Sequence, residues 1–121
     1  MPTSYRIDAE RRVIFSSATG VVVDADLRSH QRSLLNDPDF DKGFDQLWDF
    51  GAVTRVEVST AAVQELAKAR SYEGGVKRAL VAPKDAAFGM ARMFQSLHDS
   101  APETIRVLRS LPEAEAWLEL E

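Results

Sequence analysis

The sequence predicts a single α/β domain: a mixed, mostly parallel β-sheet in one layer, covered by about four helices. Three observations predict it. Short β-branched and aromatic runs alternate with amphipathic stretches in the order ββαβαβαβα, the pattern of strands joined by crossover helices. The 121 residues suffice for one domain and leave no room for a second. An apolar fraction of 45% beside 28% charged residues belongs to a chain that can bury a core.

The elements follow in order. Tyr5 and Ile7 alternate with polar residues, and Val13 to Phe15 is β-branched and aromatic. The short polar stretch from Asp8 to Arg11 makes the two an antiparallel hairpin. Thr19-Gly20 bends the second strand, which resumes through Val21 to Val23. Asp24 reads as the N-cap of the first helix, with Asp26 in its first turn to complement the dipole. Leu27, Leu34 and Leu35 share a face of that helix, with His30 and Gln31 between them, and Asn36-Asp37-Pro38 ends it.

Phe44 to Phe50 reads as a central strand broken by Gly51, with Phe44, Trp48 and Phe50 facing one way and Asp45, Leu47 and Asp49 the other. Val56 and Val58 lead into a second helix capped by Ser59, with Ala62, Val63, Leu66 and Ala69 inward. After the turn at Glu73-Gly74-Gly75, Arg78 to Ala82 is a short buried strand ending at Pro83. Asp85 opens a third helix through about His98, and Ala101-Pro102 ends the loop after it. Ile105 to Leu108 is the last strand, placed at an edge by Arg106 and Arg109. Ser110-Leu111-Pro112-Glu113 is a capping box with proline in the first turn of a final helix, whose packing face is Leu111, Ala114, Trp117 and Leu118.

Composition narrows the chemistry. With no cysteine, disulfides, thiolate metal sites and cysteine nucleophiles are excluded, which fits a cytoplasmic location. The start, Met1 to Arg6, has no apolar core, so no secretory signal is expected, and no apolar run approaches bilayer-spanning length. A net charge of −4 with interspersed signs, and only the isolated pairs Arg11-Arg12 and Lys77-Arg78, argues against nucleic acid. Asp37, Asp39 and Asp41 have calcium-loop spacing, but Lys42 and Trp48 stand where glycine and glutamate are required. His30 and His98 read as a hydrogen-bonded packing residue and a helix C-terminal dipole partner. Gly74-Gly75 precedes a strand instead of opening a helix, so no phosphate loop is formed. No cofactor and no enzymatic activity are expected.

The run LWDFGAVTRVEVSTAAVQEL, Leu47 to Leu66, resembles the central motif of STAS domains, the fold of bacterial anti-sigma-factor antagonists. Asp49 matches the strand-end aspartate, and Glu57, Val58, Ser59 and Thr60 fall on the Asp-Ser-Ser-Gly positions that open a helix. The element order is similar along nearly the whole chain, most of all to the stage II sporulation AA-like proteins, which are related to the CRAL-TRIO lipid-transfer fold. The resemblance implies a non-catalytic bacterial domain that binds a partner protein or a small apolar or anionic ligand. It also implies that Ser59 is the phosphorylated serine of a regulatory switch. Relative to the motif, Val58 replaces the first serine, Thr60 the glycine and Glu57 the aspartate.

The residues themselves leave two readings of Ser59: an anion-tolerant hydroxyl at a helix N-terminus, or a plain N-cap contributing about 1 kcal/mol. The third helix carries apolar surplus. Phe88, Met90, Met93 and Phe94, with Ala86, Ala87, Ala91 and Leu97, cover more than the stripe needed to pack on a sheet. That surplus suits a ligand pocket or a homodimer contact, with Gly89 allowing close backbone approach, or else simple deep burial. Two functions stay open. One is a regulatory module making contact at Asp49, Glu57, Ser59 and Thr60. The other is a carrier with an apolar pocket of roughly a few hundred cubic ångströms beneath the third helix.

Overall fold

A computed structural model describes residues 2–69, 72–98 and 103–120; the predicted turn at Ala101-Pro102 lies outside them. The elements are β1 (Thr3–Asp8), β2 (Val13–Val23), α1 (Asp24–Leu35), β3 (Asp45–Glu57), α2 (Thr60–Lys68), β4 (Lys77–Val81), α3 (Asp85–Leu97), β5 (Thr104–Leu108) and α4 (Leu111–Trp117). They form one five-stranded sheet in the order β1-β2-β3-β4-β5. The β1–β2 hairpin is antiparallel, and β2 to β5 are parallel. The alternating order predicted from sequence is therefore the order observed, and β5 is an edge strand.

Handedness decides which face each helix covers. Each parallel strand is followed by its neighbour on the same side, so right-handed crossovers place α1, α2 and α3 on one face. That face holds the main core: Ala18, Val22, Leu27, Trp48, Phe50, Val53, Leu80, Ala87 and Ala91. Helix α4 follows the last strand and makes no crossover. It covers the other face, where Ala114 and Leu118 pack on Leu47, Ala79 and Val81. Alternation along β3 delivers Trp48 and Phe50 to the first core and Leu47 to the second, as its period of two requires. Ile14, Leu34, Phe44, Tyr72 and Val76 close one end. Among the described residues no helix is long and apolar enough to cross a membrane.

Several local expectations change. Gly51 does not end its strand: β3 runs on to Glu57, paired with β2 as far as Val23↔Glu57. Between Ser17↔Asp49 and Thr19↔Ala52 the register slips, so Gly51 sits at a bulge where β3 carries an extra residue. Gly20, at φ 67°, marks a second irregularity, in a conformation that favours glycine. Asp24 is not the cap of α1. Val23 holds that position, and its amide donates to Asp26 Oδ2 at 2.8 Å.

Leu35 and Leu111 were expected to pack but are 41% and 40% exposed, because Leu34 and Ala114 take the buried positions next to them. Gly89 faces open space within the chain. Asp37 and Asp41 serve turns, accepting from the amides of Asp39 and Gly43.

Burial ranks the consequences of truncation. Ile14, fully buried, should cost about 2–5 kcal/mol when changed to Ala, and Leu111→Ala no more than about 0.5 kcal/mol. Urea denaturation of the two variants measures both.

Candidate functional site

The predicted partner-contact residues do not form one cluster. Ser59, Thr60 and Glu57 lie together and exposed at the C-terminal end of β3. Asp49 lies eight residues earlier in the same strand, roughly 26 Å away at strand rise. Its carboxylate accepts from the Gly51 amide at 2.8 Å. It lines a shallow groove of about 370 Å³ that also involves Arg6, Phe15, Leu47, Leu111 and Glu115, on the face that carries α4. The separation follows from the continuation of β3 through Gly51. Glu57 turns to Arg55, 2.5 Å away on the surface.

Ser59 is the N-cap of α2, as predicted, with its Oγ accepting from the Ala62 amide at 3.1 Å. Its hydroxyl and its amide both donate to the Asp24 carboxylate, each at 2.7 Å. These hydrogen bonds from Ser59 hold the Asp24 carboxyl below the usual carboxylate range. The start of α1 is thereby tied to the start of α2, and Arg28 adds a second surface link to Glu65 at 2.9 Å.

A cavity of about 90 Å³ lies between the sheet and α1, α2 and α3, smaller than the few hundred cubic ångströms expected. Met90 and Phe94 line it; Phe88 and Met93 do not. Phe88 instead lies under the Arg109 guanidinium, 3.7 Å from ring centroid to Cζ, and Met93 is 37% exposed. The helix is narrower in its buried face than its composition implied: Ala87 and Ala91 are its buried residues. Small side chains bring α3 close to the sheet and leave little empty volume.

The cavity floor is graded. Gln46 and Arg78 are register partners on β3 and β4, and Trp48 and Leu80 form the next pair on the same face, followed by Phe50. Trp48 and Phe50 stack at 4.9 Å with an interplanar angle of 4°. Leu27, Leu34, Val63 and Leu66 complete the apolar walls, with Leu35 and Gln31 from α1. The polar groups thus gather at the N-terminal end of the strands and the aromatic ones beyond.

Those polar groups belong to a buried network that sequence reasoning missed. His30 Nε2 lies 2.9 Å from Ser16 Oγ, which accepts from Gln46 Nε2 at 3.1 Å. Arg78 Nε donates to Gln46 Oε1 at 3.0 Å, and Arg78 Nη1 donates to Glu103 Oε2 at 3.3 Å. Glu103 Oε2 is also 2.8 Å from His98 Nε2. The Arg78 guanidinium lies over Tyr72 and Phe94, at 4.3 and 5.4 Å. Nothing local marks Gln46 or Glu103 as buried. The one available signal is Arg78 inside a strand that otherwise reads as buried, since an interior guanidinium requires partners.

His30 is the hydrogen-bonded packing residue expected, tilted against Trp48 at 4.2 Å. Burial, and then the charge of Arg78, push its imidazole down to about 4. His98 differs from expectation: it bonds Ala67 O in the last turn of α2 and Glu103, not the end of its own helix. For Glu103, burial pushes the carboxyl up. The hydrogen bonds from His98 and its own backbone amide, with the charges of His98 and Arg78, outweigh that and hold it below the ordinary range.

The displaced His30 value predicts a pH dependence. The unfolded chain binds this proton near 6.5 and the folded chain only near 4, so folded-state stability falls as pH drops through that interval. In His30→Gln this portion of the pH–stability curve should flatten, as read by urea midpoints across the range. NMR of the wild type should show the His30 ring still neutral at pH 6. Comparison of the chain with protein-family models, with curated proteins and with solved structures finds no match.

Proposed function

We propose that this chain is a non-enzymatic binding domain of STAS-like type whose ligand is a small apolar molecule seated under α1, α2 and α3. The observation that carries the reading is the graded cavity: stacked Trp48 and Phe50 with Leu66 and Leu80 for an apolar body, and Gln46 and Arg78 for one polar group. Few precisely placed polar groups in an apolar hollow is the usual make-up of a small-molecule site. The volume of about 90 Å³ limits the ligand to a short chain or a single small ring. No nucleophile–base–acid arrangement lies on this cavity among the described residues. Ser16 contacts His30, but the imidazole has no carboxylate partner there.

Filling the hollow tests this. Met90→Trp should abolish the changes in Trp48 fluorescence and in cavity methyl NMR shifts that 1-hexanol produces in the wild type. If the alcohol leaves the wild-type spectra unmoved at millimolar concentration, the reading fails.

A specific observation also favours a regulatory role for Ser59. Its hydroxyl and amide hold Asp24, and this pair joins two of the three helices that cover the cavity. A phosphate on Oγ would set a dianion against the Asp24 carboxylate and break the link. Ser59→Asp keeps a good N-cap for α2 yet repels Asp24, whereas Ser59→Asn keeps the cap without charge. Hydrogen exchange in the first turn of α1 should rise about ten-fold in Ser59→Asp and change little in Ser59→Asn. Equal protection in the two variants would remove the switch.

A further inference from the structure

We infer that the cavity is built for an anion: its ligand is a small apolar monocarboxylate whose head meets Arg78 and whose short chain lies along Trp48 toward Phe50. The inference rests on the small-molecule reading above and adds the chemical class.

It follows from counting protons in the buried cluster. His98 Nδ1 faces the Ala67 carbonyl, which only accepts, so Nδ1 carries a proton. His98 Nε2 and Glu103 Oε2 are 2.8 Å apart, and that contact needs a second proton between them. Whichever atom holds it, His98 and Glu103 together are neutral. Arg78 is then left with a full, uncompensated positive charge, although Glu103 Oε2 also takes one of its donors. The side chains of Arg78, His98 and Glu103 are 11%, 1% and 0% exposed, so water does little to screen that charge.

The guanidinium is also poised to receive a ligand. Tyr72 and Phe94 cover it, and among the described residues its hydrogen bonds run from Nε and Nη1 alone. Donors on a planar fork that lines an apolar hollow suit a carboxylate. No acidic side chain lines the cavity among the described residues. An alcohol of equal length would fill the same space and leave the charge unmet.

The experiment compares hexanoate with 1-hexanol by isothermal titration calorimetry on the full chain at neutral pH. Hexanoate should bind at least ten-fold more tightly, and Met90→Trp should block both. The double variant R78Q/E103Q removes both charges together, so neither is left buried alone, and it should bind the two probes within about two-fold of each other. Circular dichroism verifies that the variant is folded; if it is not, the wild-type ratio alone decides. Equal affinity of the wild type for both probes overturns the anion inference and leaves the cavity reading standing. So does a hexanoate preference that survives in the folded double variant or in Met90→Trp. If neither probe binds the wild type, the cavity reading falls and this inference with it.

Discussion

A guanidinium held inside the fold is the constraint on which the rest of this molecule turns. Burying an ion costs several kcal/mol unless partners replace its water. Arg78 finds them at four places: Gln46 beside it on β3, Glu103 just before β5, and the rings of Tyr72, ahead of β4, and Phe94 on α3. Each partner recruits another. Gln46 reaches Ser16 and so His30 on α1; Glu103 reaches His98 at the end of α3, and His98 reaches the last turn of α2. One chain of polar contacts therefore touches every helix on that face. The same contacts keep the polar end of the cavity from being filled by apolar packing.

The position of the cavity comes from topology. Sequential parallel strands with right-handed crossovers crowd three helices onto one face of the sheet, and α4 alone lies on the other. Ala62, Ala67, Ala87 and Ala91 let α2 and α3 settle close to the strands and to each other. Helix α1 is joined to α2 chiefly by surface groups, Asp24 with Ser59 and Arg28 with Glu65. Exposed hydrogen bonds and ion pairs of this kind contribute little, so these links add little to the hold between α1 and α2. Ser59 sits at that junction, which joins a regulatory reading of its hydroxyl to a ligand reading of the hollow.

Much of the fold was legible because it rests on local physics. Alternation of apolar residues marked the hairpin and the central strand, and Ser59 and Ser110 marked helix starts that the structure retains. The misreadings share a cause. Gly51 reads locally as a break because a glycine ends a strand or bulges it with equal local plausibility, and only the pairing of β2 with β3 out to Glu57 decides between them. Asp24 has the chemistry of a cap for its own helix, yet its carboxylate serves a residue 35 positions later. The apolar surplus of α3 was visible, but not that Phe88 would be taken by Arg109 while Met90 and Phe94 faced the hollow.

By itself, then, the sequence determined the α/β class, the order of elements, two helix caps and part of each apolar face, since each depends on residues a few positions apart. Tertiary structure alone decided that Asp49 and Ser59 lie far apart, that Arg78, Glu103 and His98 meet, and how small the hollow is. Those outcomes depend on sheet register and on helix-to-sheet distance, which bring together residues tens of positions apart and leave no periodic trace along the chain.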